Sequence, residues 1–425
     1  MSSKFNKELQ VLVKDKVISP ELSEKIKQYY TIKNSNKPNR LFTIFGVFGA
    51  LLIGSGIILM LAHNWDDFSR VTKTILAFVP LVLGQFFSGY SILKNKSITW
   101  KEASGTFLFF SVGASIALVG QIYNIPGDLG TFLETWIILC LPLIYLLRSH
   151  ALTILLLIFS ASYAFEATEW SYRDTETPWL YIVFLFAIIP HYWKLLKTNI
   201  SSNVVTVFNW IIPLSISYAL SAFVERAELF GFLMYITLFG IFYIIGRGVV
   251  FKELSNLRNG FLISGSLGTV TCLMIFTFRW IWEDLPEEFI LNTQGFYTAL
   301  VLFMIGLSGL IYAVVKQGIR SINIFQIAFL VFWSIYFLPV EIMFPAVLTN
   351  LLVFALGISA IKIGADKFNF GILNYGMLII SILIVCRFFD TGMSFVIRGI
   401  LFVAVGAGFF LTNYVMLKKQ QKLKI

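Results

Sequence analysis

The segment that decides the fold is residues 41–61, LFTIFGVFGALLIGSGIILML, which carries no charged side chain. An α-helix rises about 1.5 Å per residue, so about 20 apolar residues cross the hydrocarbon core of a bilayer. The only other structure that crosses a bilayer is a closed β-barrel, whose strands alternate polar and apolar residues over about ten positions. Residues 41–61 show no such alternation, so the segment predicts a transmembrane helix.

Similar apolar segments recur along almost the whole chain. Hydrophobic residues make up 57% of the sequence and charged residues 13%, about half the charge of a soluble domain. We expect an all-α, polytopic transmembrane bundle of about fourteen spans, with twelve or thirteen as alternatives because some spans are short or joined by tight turns. The predicted spans are residues 41–63, 74–93, 103–123, 131–147, 151–166, 179–195, 204–223, 227–246, 259–278, 294–315, 322–338, 342–361, 369–387 and 393–415.

Residues 1–40 are polar enough to form a water-exposed element. The first predicted helix has an apolar face at the spacing of helical turns, formed by Phe5, Leu9, Leu12 and Val13. The run Ser19-Pro20-Glu21 is typical of a helix start, and the buried side of the second helix is predicted to be Leu22, Ile26 and Tyr29. We therefore expect a helical hairpin and basic linker at 1–40, followed by a transmembrane domain at 41–425.

The basic residues predict the orientation. If the N-terminus is cytoplasmic, most of the 33 Lys and Arg residues fall in cytoplasmic segments, as the positive-inside rule requires. Acidic residues such as Asp66, Asp67 and Glu283 then fall in the opposite loops. Both termini are predicted to be cytoplasmic. The net charge of +10 is explained by bases that face anionic lipid headgroups, and no basic folded domain remains for nucleic acid.

Small residues follow one face of two predicted spans. The positions are Gly46, Ala50 and Gly54 in the first span, and Gly113 and Ala117 in the third. Small side chains let helix backbones approach closely in lipid. We interpret both stripes as helix-packing faces.

Polar residues cluster in three groups at the predicted outer ends of spans. They are His63, Asn64, Asp66, Asp67 and Arg70; Gln121, Asp128 and Glu134; and Arg387, Asp390 and Arg398. Arg398 lies inside a predicted span, where an unpaired guanidinium costs on the order of several kcal/mol. Its candidate partners are Asp66, Asp67, Asp128 and Asp390. The groups form either a structural clamp or a substrate or proton site that opens to the outer side.

No catalytic or metal-binding motif accompanies these groups. The sequence has no Walker A loop, no His-Glu-x-x-His, no Gly-x-Ser-x-Gly and no paired Cys-x-x-Cys. Cys140, Cys272 and Cys386 lie inside apolar segments, and His150 and His191 have no neighbours at ligand spacing. We therefore expect no metal, no cofactor and no catalytic residue.

An internal echo indicates either a duplicated hairpin of the kind found in transporters or chance matches within apolar sequence. Four residues recur at one constant offset: Gly306, Ser308, Lys316 and Asn323 match Gly357, Ser359, Lys367 and Asn374. Each set is predicted to lie on one span and the start of the next.

Several phrases resemble the DUF2157 family of predicted bacterial membrane proteins. They are VISPE at 17–21, LAHNWD at 61–66, GQIYNIPGD at 120–128, LPLIYLLRS at 141–149 and RFFDTGMSFVIRG at 387–399. The resemblance implies a family-like core at 41–150 with further spans at 151–425, a location in the inner membrane of a bacterium, and no defined activity. It also implies, as a partner besides the lipid bilayer, a neighbouring membrane protein with a Gly-Asp-Tyr motif.

The leading hypothesis for function is a transporter or flippase-like protein for a small or lipid-linked solute. It rests on the number of spans, the outer polar groups and the internal echo. The alternative is a non-transporting scaffold or sensor that binds partner membrane proteins through the N-terminal hairpin. An intramembrane enzyme ranks last, because no catalytic constellation is present.

Overall fold

The computed structural model describes residues 3–35, 65–166, 177–224, 230–252, 254–283, 285, 293–338, 343–390 and 395–422. Several residues near the ends of these ranges, among them Asp390 and Arg398, are described by their backbone only. The described residues form sixteen α-helices and no β-strand. The all-α prediction is therefore confirmed. The chain divides into two compact units, Met1–Leu76 and Ala77–Ile425.

The first unit contains a helical hairpin, α1 (Ser3–Lys14) and α2 (Pro20–Ser35). The Ser19 hydroxyl accepts the backbone N–H of Leu22 at 3.2 Å, as expected for a residue that caps a helix N-terminus. The side of α2 that is buried differs from the side that the sequence predicted. Ser23 is buried, whereas Leu22 and Tyr29 are exposed. A hairpin this small has no core of its own to select one face.

Thirteen helices coincide with the second to fourteenth predicted spans, and a short helix, α11 (Arg279–Glu283), stands between two of them. The first predicted span lies outside the described residues. The remaining helices are α3 (Arg70–Leu93), α4 (Ile98–Tyr123), α5 (Leu129–Leu147), α6 (His150–Phe165), α7 (Leu180–Thr198), α8 (Asn203–Val224), α9 (Gly231–Gly246), α10 (Gly260–Ile275), α12 (Gln294–Gln317), α13 (Ile324–Tyr336), α14 (Met343–Asp366), α15 (Phe370–Asp390) and α16 (Phe395–Lys422).

Eight helices in the described part of the chain are long and apolar enough to cross a membrane: α3, α4, α5, α7, α8, α12, α14 and α15. Four more, α6, α9, α10 and α13, are apolar but shorter. The protein is therefore a helical membrane protein, as predicted. Helix length alone does not fix the number of spans.

The second unit is built around α9. This helix packs against α8, α10, α12 and α13, and most of its side chains are buried. Close contacts depend on glycines, since a Cβ on Gly265 of α10 would lie 2.4 Å from the backbone nitrogen of Tyr243 in α9. Helices that approach this closely gain dispersion contacts, which drive association in lipid.

The internal echo does not correspond to equivalent structural positions. Asn323 caps α13 by accepting the backbone N–H of Gln326 at 3.3 Å. α15 is capped instead by Asn369, which accepts the N–H of Ile372 at 3.1 Å, while Asn374 lies inside the helix. In addition, α14 packs along α15, whereas α12 and α13 both pack on α9. The structure therefore gives no support to a duplicated hairpin.

Candidate functional site

The first predicted polar group lies before α3. His63 and Asn64 are outside the described residues, and Asp66 and Asp67 are exposed in a turn. Arg70 is exposed at the first position of α3, behind a cap that Ser69 forms by accepting the backbone N–H of Thr72 at 3.2 Å.

The second group surrounds the loop between α4 and α5. Asn124 ends α4 in the left-handed region, with a φ of 50°. Asp128 then caps α5. Its Oδ1 accepts the backbone N–H of Thr131 at 2.9 Å, and its Oδ2 accepts the Thr131 hydroxyl at 2.9 Å. The Asp128 carboxylate therefore has a structural role at the start of α5.

The two other members of this group are less constrained. The Gln121 side chain is exposed and the Glu134 side chain is half-buried. Neither is seen to form a hydrogen bond or an ion pair where the chain is described.

A groove of about 1050 Å³ runs between α3, α4 and α5; we call it the α3–α5 groove. Its walls are mainly apolar, although Gln85 of α3 and Ser115 of α4 also line it. The apolar members include Phe78, Leu81, Leu108, Val112, Ile116, Phe132, Leu139 and Leu143. Asp128 and Thr131 lie at its loop end, and Thr135 lies one turn further along α5. The small residues Ala117 and Gly120 of α4 also line it. Such a surface can hold an apolar chain with a polar group at one end.

The groove is supported from behind by a contact between α4 and α5. A Cβ on Gly113 would lie 2.3 Å from the Trp136 ring, so the indole covers a position that only glycine leaves open. Trp136 Nε1 donates to the Phe109 carbonyl at 2.8 Å. Of the other predicted packing residues, Gly46, Ala50 and Gly54 lie outside the described residues.

The third group is represented by Arg387. Its guanidinium donates to the Thr277 hydroxyl at 3.3 Å and lies 4.9 Å from the Phe278 ring centroid. Asn350 donates to the Thr277 carbonyl at 2.9 Å. These contacts tie α14 and α15 to the segment after α10. The side chains of Asp390 and Arg398 are outside the described part, so a site shared by all three groups stays a prediction.

A polar cluster that the sequence did not suggest lies at the other end of the bundle. Glu102 of α4 reaches the N-terminus of α6, and its carboxylate accepts the backbone N–H of His150 at 2.7 Å and of Ala151 at 2.9 Å. The Ser149 hydroxyl donates to the same carboxylate. Ser149 in turn accepts the N–H of Leu152 at 3.2 Å. The backbone N–H groups of His150, Ala151 and Leu152 in the first turn of α6 therefore all have acceptors.

The side chain of His150 continues this cluster. Its Nδ1 lies 3.2 Å from Nε2 of His191 on α7, and His191 is only 9% exposed. In the sequence, His150 and His191 have no neighbours at ligand spacing, but in the folded protein their rings are neighbours. The expectation that they stand alone is therefore wrong. One signal was available: the predicted topology places His150 at the start of one span and His191 near the end of the next, at the same side of the membrane. We call Glu102, His150 and His191 the Glu102 cluster.

No set of three His, Cys, Asp or Glu side chains that could hold a metal ion is found within the described ranges. None of the three cysteines forms a disulfide within the described part of the chain; Cys140 is buried, and Cys272 and Cys386 are half-buried. The features described so far are thus a largely apolar groove and a hydrogen-bonded cluster of one glutamate and two histidines.

The geometry above can be compared with known proteins. Residues 10–153 match the family described as Predicted membrane protein (DUF2157). The DUF2157 match spans α2 to α5 and the start of α6, so it contains the α3–α5 groove, Glu102 and His150, while His191 lies beyond it. No curated protein and no solved structure matches the chain.

Proposed function

We propose that this protein is a flippase-like transporter for a small amphiphilic or lipid-linked solute, and that the α3–α5 groove holds the apolar part of that solute. The observation that carries the proposal is the groove itself, about 1050 Å³ of largely apolar space. Ligand pockets commonly enclose about 300 to 1000 Å³, so an acyl or polyprenyl segment fits. A fully polar solute would lose its hydration along these walls without compensating hydrogen bonds.

The polar end of the groove supports the choice of an amphiphile. Asp128 and Thr131 lie at the loop between α4 and α5. We expect this loop at the outer face of a bacterial inner membrane, with both termini cytoplasmic, because of the distribution of Lys and Arg. A headgroup there would meet carboxylate and hydroxyl groups while its chain stayed in the apolar part. A lipid in a bilayer likewise has its headgroup in the polar interface and its chain in the hydrocarbon core.

A pair of matched variants tests the proposal. Ala117→Trp places an indole in the groove, whereas Ala114→Trp adds the same side chain at an exposed position of α4 that does not line it. In proteoliposomes we expect Ala117→Trp to slow movement of fluorescent phospholipids or lipid-linked sugars at least tenfold, and Ala114→Trp to retain the wild-type rate. Equal rates in the two variants, or no movement of any amphiphile by folded wild-type protein, would contradict the proposal.

A second candidate function is a scaffold or sensor, because the N-terminal hairpin exposes apolar side chains. Val11 is 54% exposed and Val17 is 66% exposed, and such side chains on a small element commonly mark a protein contact. The resemblance to DUF2157 suggests a membrane protein with a Gly-Asp-Tyr motif as the partner.

Co-purification distinguishes the scaffold from the transporter. Val11→Ser with Val17→Ser is expected to remove the partner, whereas Gln28→Ser, at an exposed polar position, leaves it bound. Solute movement in proteoliposomes should be the same in all three proteins if the hairpin serves only as a scaffold. Retention of the partner by the valine variant would refute this function.

A further inference from the structure

The two imidazoles of the Glu102 cluster are arranged to share one hydrogen. His150 Nδ1 and His191 Nε2 are 3.2 Å apart, and the ring centroids are 5.3 Å apart. A hydrogen bond between neutral imidazoles needs one N–H and one lone pair. The bond therefore leaves one nitrogen on each ring, His150 Nε2 and His191 Nδ1, of which one carries a hydrogen and the other a lone pair.

Because one outer nitrogen of the pair can accept a proton while the other can release one, the pair can exchange protons at both ends. A proton that binds to the lone pair of His150 Nε2 converts His150 to an imidazolium, whose Nδ1 hydrogen points at His191 Nε2. If that hydrogen moves across, His191 becomes the imidazolium and can release its Nδ1 hydrogen to water. One proton has entered and one has left, no electron has moved, and the pair is in the opposite tautomer.

Burial and the surrounding charges decide whether the pair can hold the added proton, and burial, which disfavours a charge on His191, is the largest influence on that ring. The charged groups that act on His191 are His150 on α6, Glu102 on α4 and Lys194 on its own helix. The neighbouring ring on α8 is Phe208, which has no charge. An imidazolium beside the Glu102 carboxylate makes a neutral pair of charges, whereas the Lys194 ammonium opposes it. Glu102 is held in place by its three donors from Ser149, His150 and Ala151.

We propose that Glu102, His150 and His191 form a proton-binding relay that joins α4, α6 and α7, in which the two imidazoles hold one proton in common and Glu102 supplies the counter-charge. The relay is independent of the α3–α5 groove and of its solute. A hydrogen bond that served only to tie α6 to α7 would keep one tautomer and stay neutral.

The chain has three histidines, so ¹⁵N-histidine labelling reports on very few rings. In His63→Gln protein in lipid nanodiscs, only the pair remains visible. We expect both rings to change together in one step that takes up a single proton, and the second proton to bind only at much more acidic pH, because two imidazolium ions at this distance repel each other. We also expect nitrogen signals averaged between the two tautomers at neutral pH.

Two further variants check that the step belongs to the pair. His191→Gln in the same background should abolish the averaging between tautomers at His150, and Glu102→Gln should move the midpoint of the shared step to lower pH, because the counter-charge is lost. Folding of each variant is checked by gel filtration and helical circular dichroism, and the His63→Gln titration stands without either variant. Rings that stay neutral in one fixed tautomer while the protein remains folded would overturn the proposal. So would two rings that titrate independently.

Discussion

The carboxylate of Glu102 on α4 accepts the backbone N–H of His150, the first residue of α6, at 2.7 Å. A helix N-terminus within a membrane protein cannot leave its N–H groups without acceptors. The acceptor here comes from a different helix, and a negative charge at this end also interacts favourably with the α6 dipole. The position of α6 is therefore fixed by a side chain that lies 48 residues earlier in the chain.

We predict that Glu102→Ala lowers stability strongly. The change leaves the His150 and Ala151 N–H groups and the Ser149 hydroxyl without their acceptor, which costs about 3 kcal/mol or more in total. The control is Glu283→Ala, which breaks an exposed ion pair with Arg279 worth about 0.5 kcal/mol or less. Thermal unfolding in detergent should separate the two variants clearly, and similar melting temperatures would rule out the capping role.

Substitution of glycine by alanine should affect the melting temperature differently at two positions of α4. Gly113→Ala drives a methyl group into the Trp136 ring, whereas a Cβ at Gly120 meets nothing within 4 Å. Overpacking of this kind costs about 1 to 3 kcal/mol. We expect Gly113→Ala to lower the melting temperature and Gly120→Ala to leave it unchanged or raise it. If both variants melt alike, the indole is not fixed over Gly113.

The role of Asp128 can be divided between its shape and its charge. Asp128→Asn keeps an oxygen that can cap α5, whereas Asp128→Ala removes the cap at a cost of about 1 kcal/mol. We therefore expect the alanine variant alone to lose stability. Under the proposed function, both variants slow movement of the amphiphile, because both lack the carboxylate at the end of the groove. Full activity of a stable Asp128→Asn protein would show that this charge is not used by the solute.

Lys367, which follows α14, should react with acylating reagents at lower pH than an ordinary lysine. Burial lowers the pKa of the Lys367 ammonium, and the nearby Arg247 guanidinium lowers that pKa further. A lower pKa gives more neutral amine, the nucleophilic form, at a given alkaline pH. Mass spectrometry of labelled protein should show a pH–rate midpoint below that of the same residue in denatured protein.

The matched variant for Lys367 is Arg247→Gln. Removal of the guanidinium should move the midpoint part of the way back toward the denatured value, because burial of Lys367 remains. An unchanged midpoint would mean that Arg247 does not act on this amine.

The helices were predictable because every span must be apolar over the thickness of the hydrocarbon core of the bilayer. Apolar length alone located thirteen of them, and Ser19-Pro20 located the start of α2. The face that a helix buries is harder to predict, since it depends on neighbours that are distant in sequence. Leu22 and Ser23 differ by one position, yet the polar residue is the one buried.

The Glu102 cluster shows why the candidate site was only partly predictable. Hydropathy treats Glu102 as one more charge beside basic residues, and His150 and His191 as isolated residues in apolar segments. These three residues are brought together by the packing of α4, α6 and α7. The periodicity of the sequence gives no information about that packing. The outer groups were found because they lie close together in sequence, but there Asp128 and Arg387 form structural contacts of the kind expected for polar residues at helix ends.

The burial of α9 has a consequence for the response of the protein to its lipid environment. At 16 residues, α9 is about 24 Å long, shorter than a bilayer core of about 30 Å. A lipid-facing helix of that length would force the bilayer to thin or would itself be strained, but α9 is surrounded by other helices. Changes in acyl-chain length should therefore tilt the peripheral helices and leave the centre of the protein unaffected.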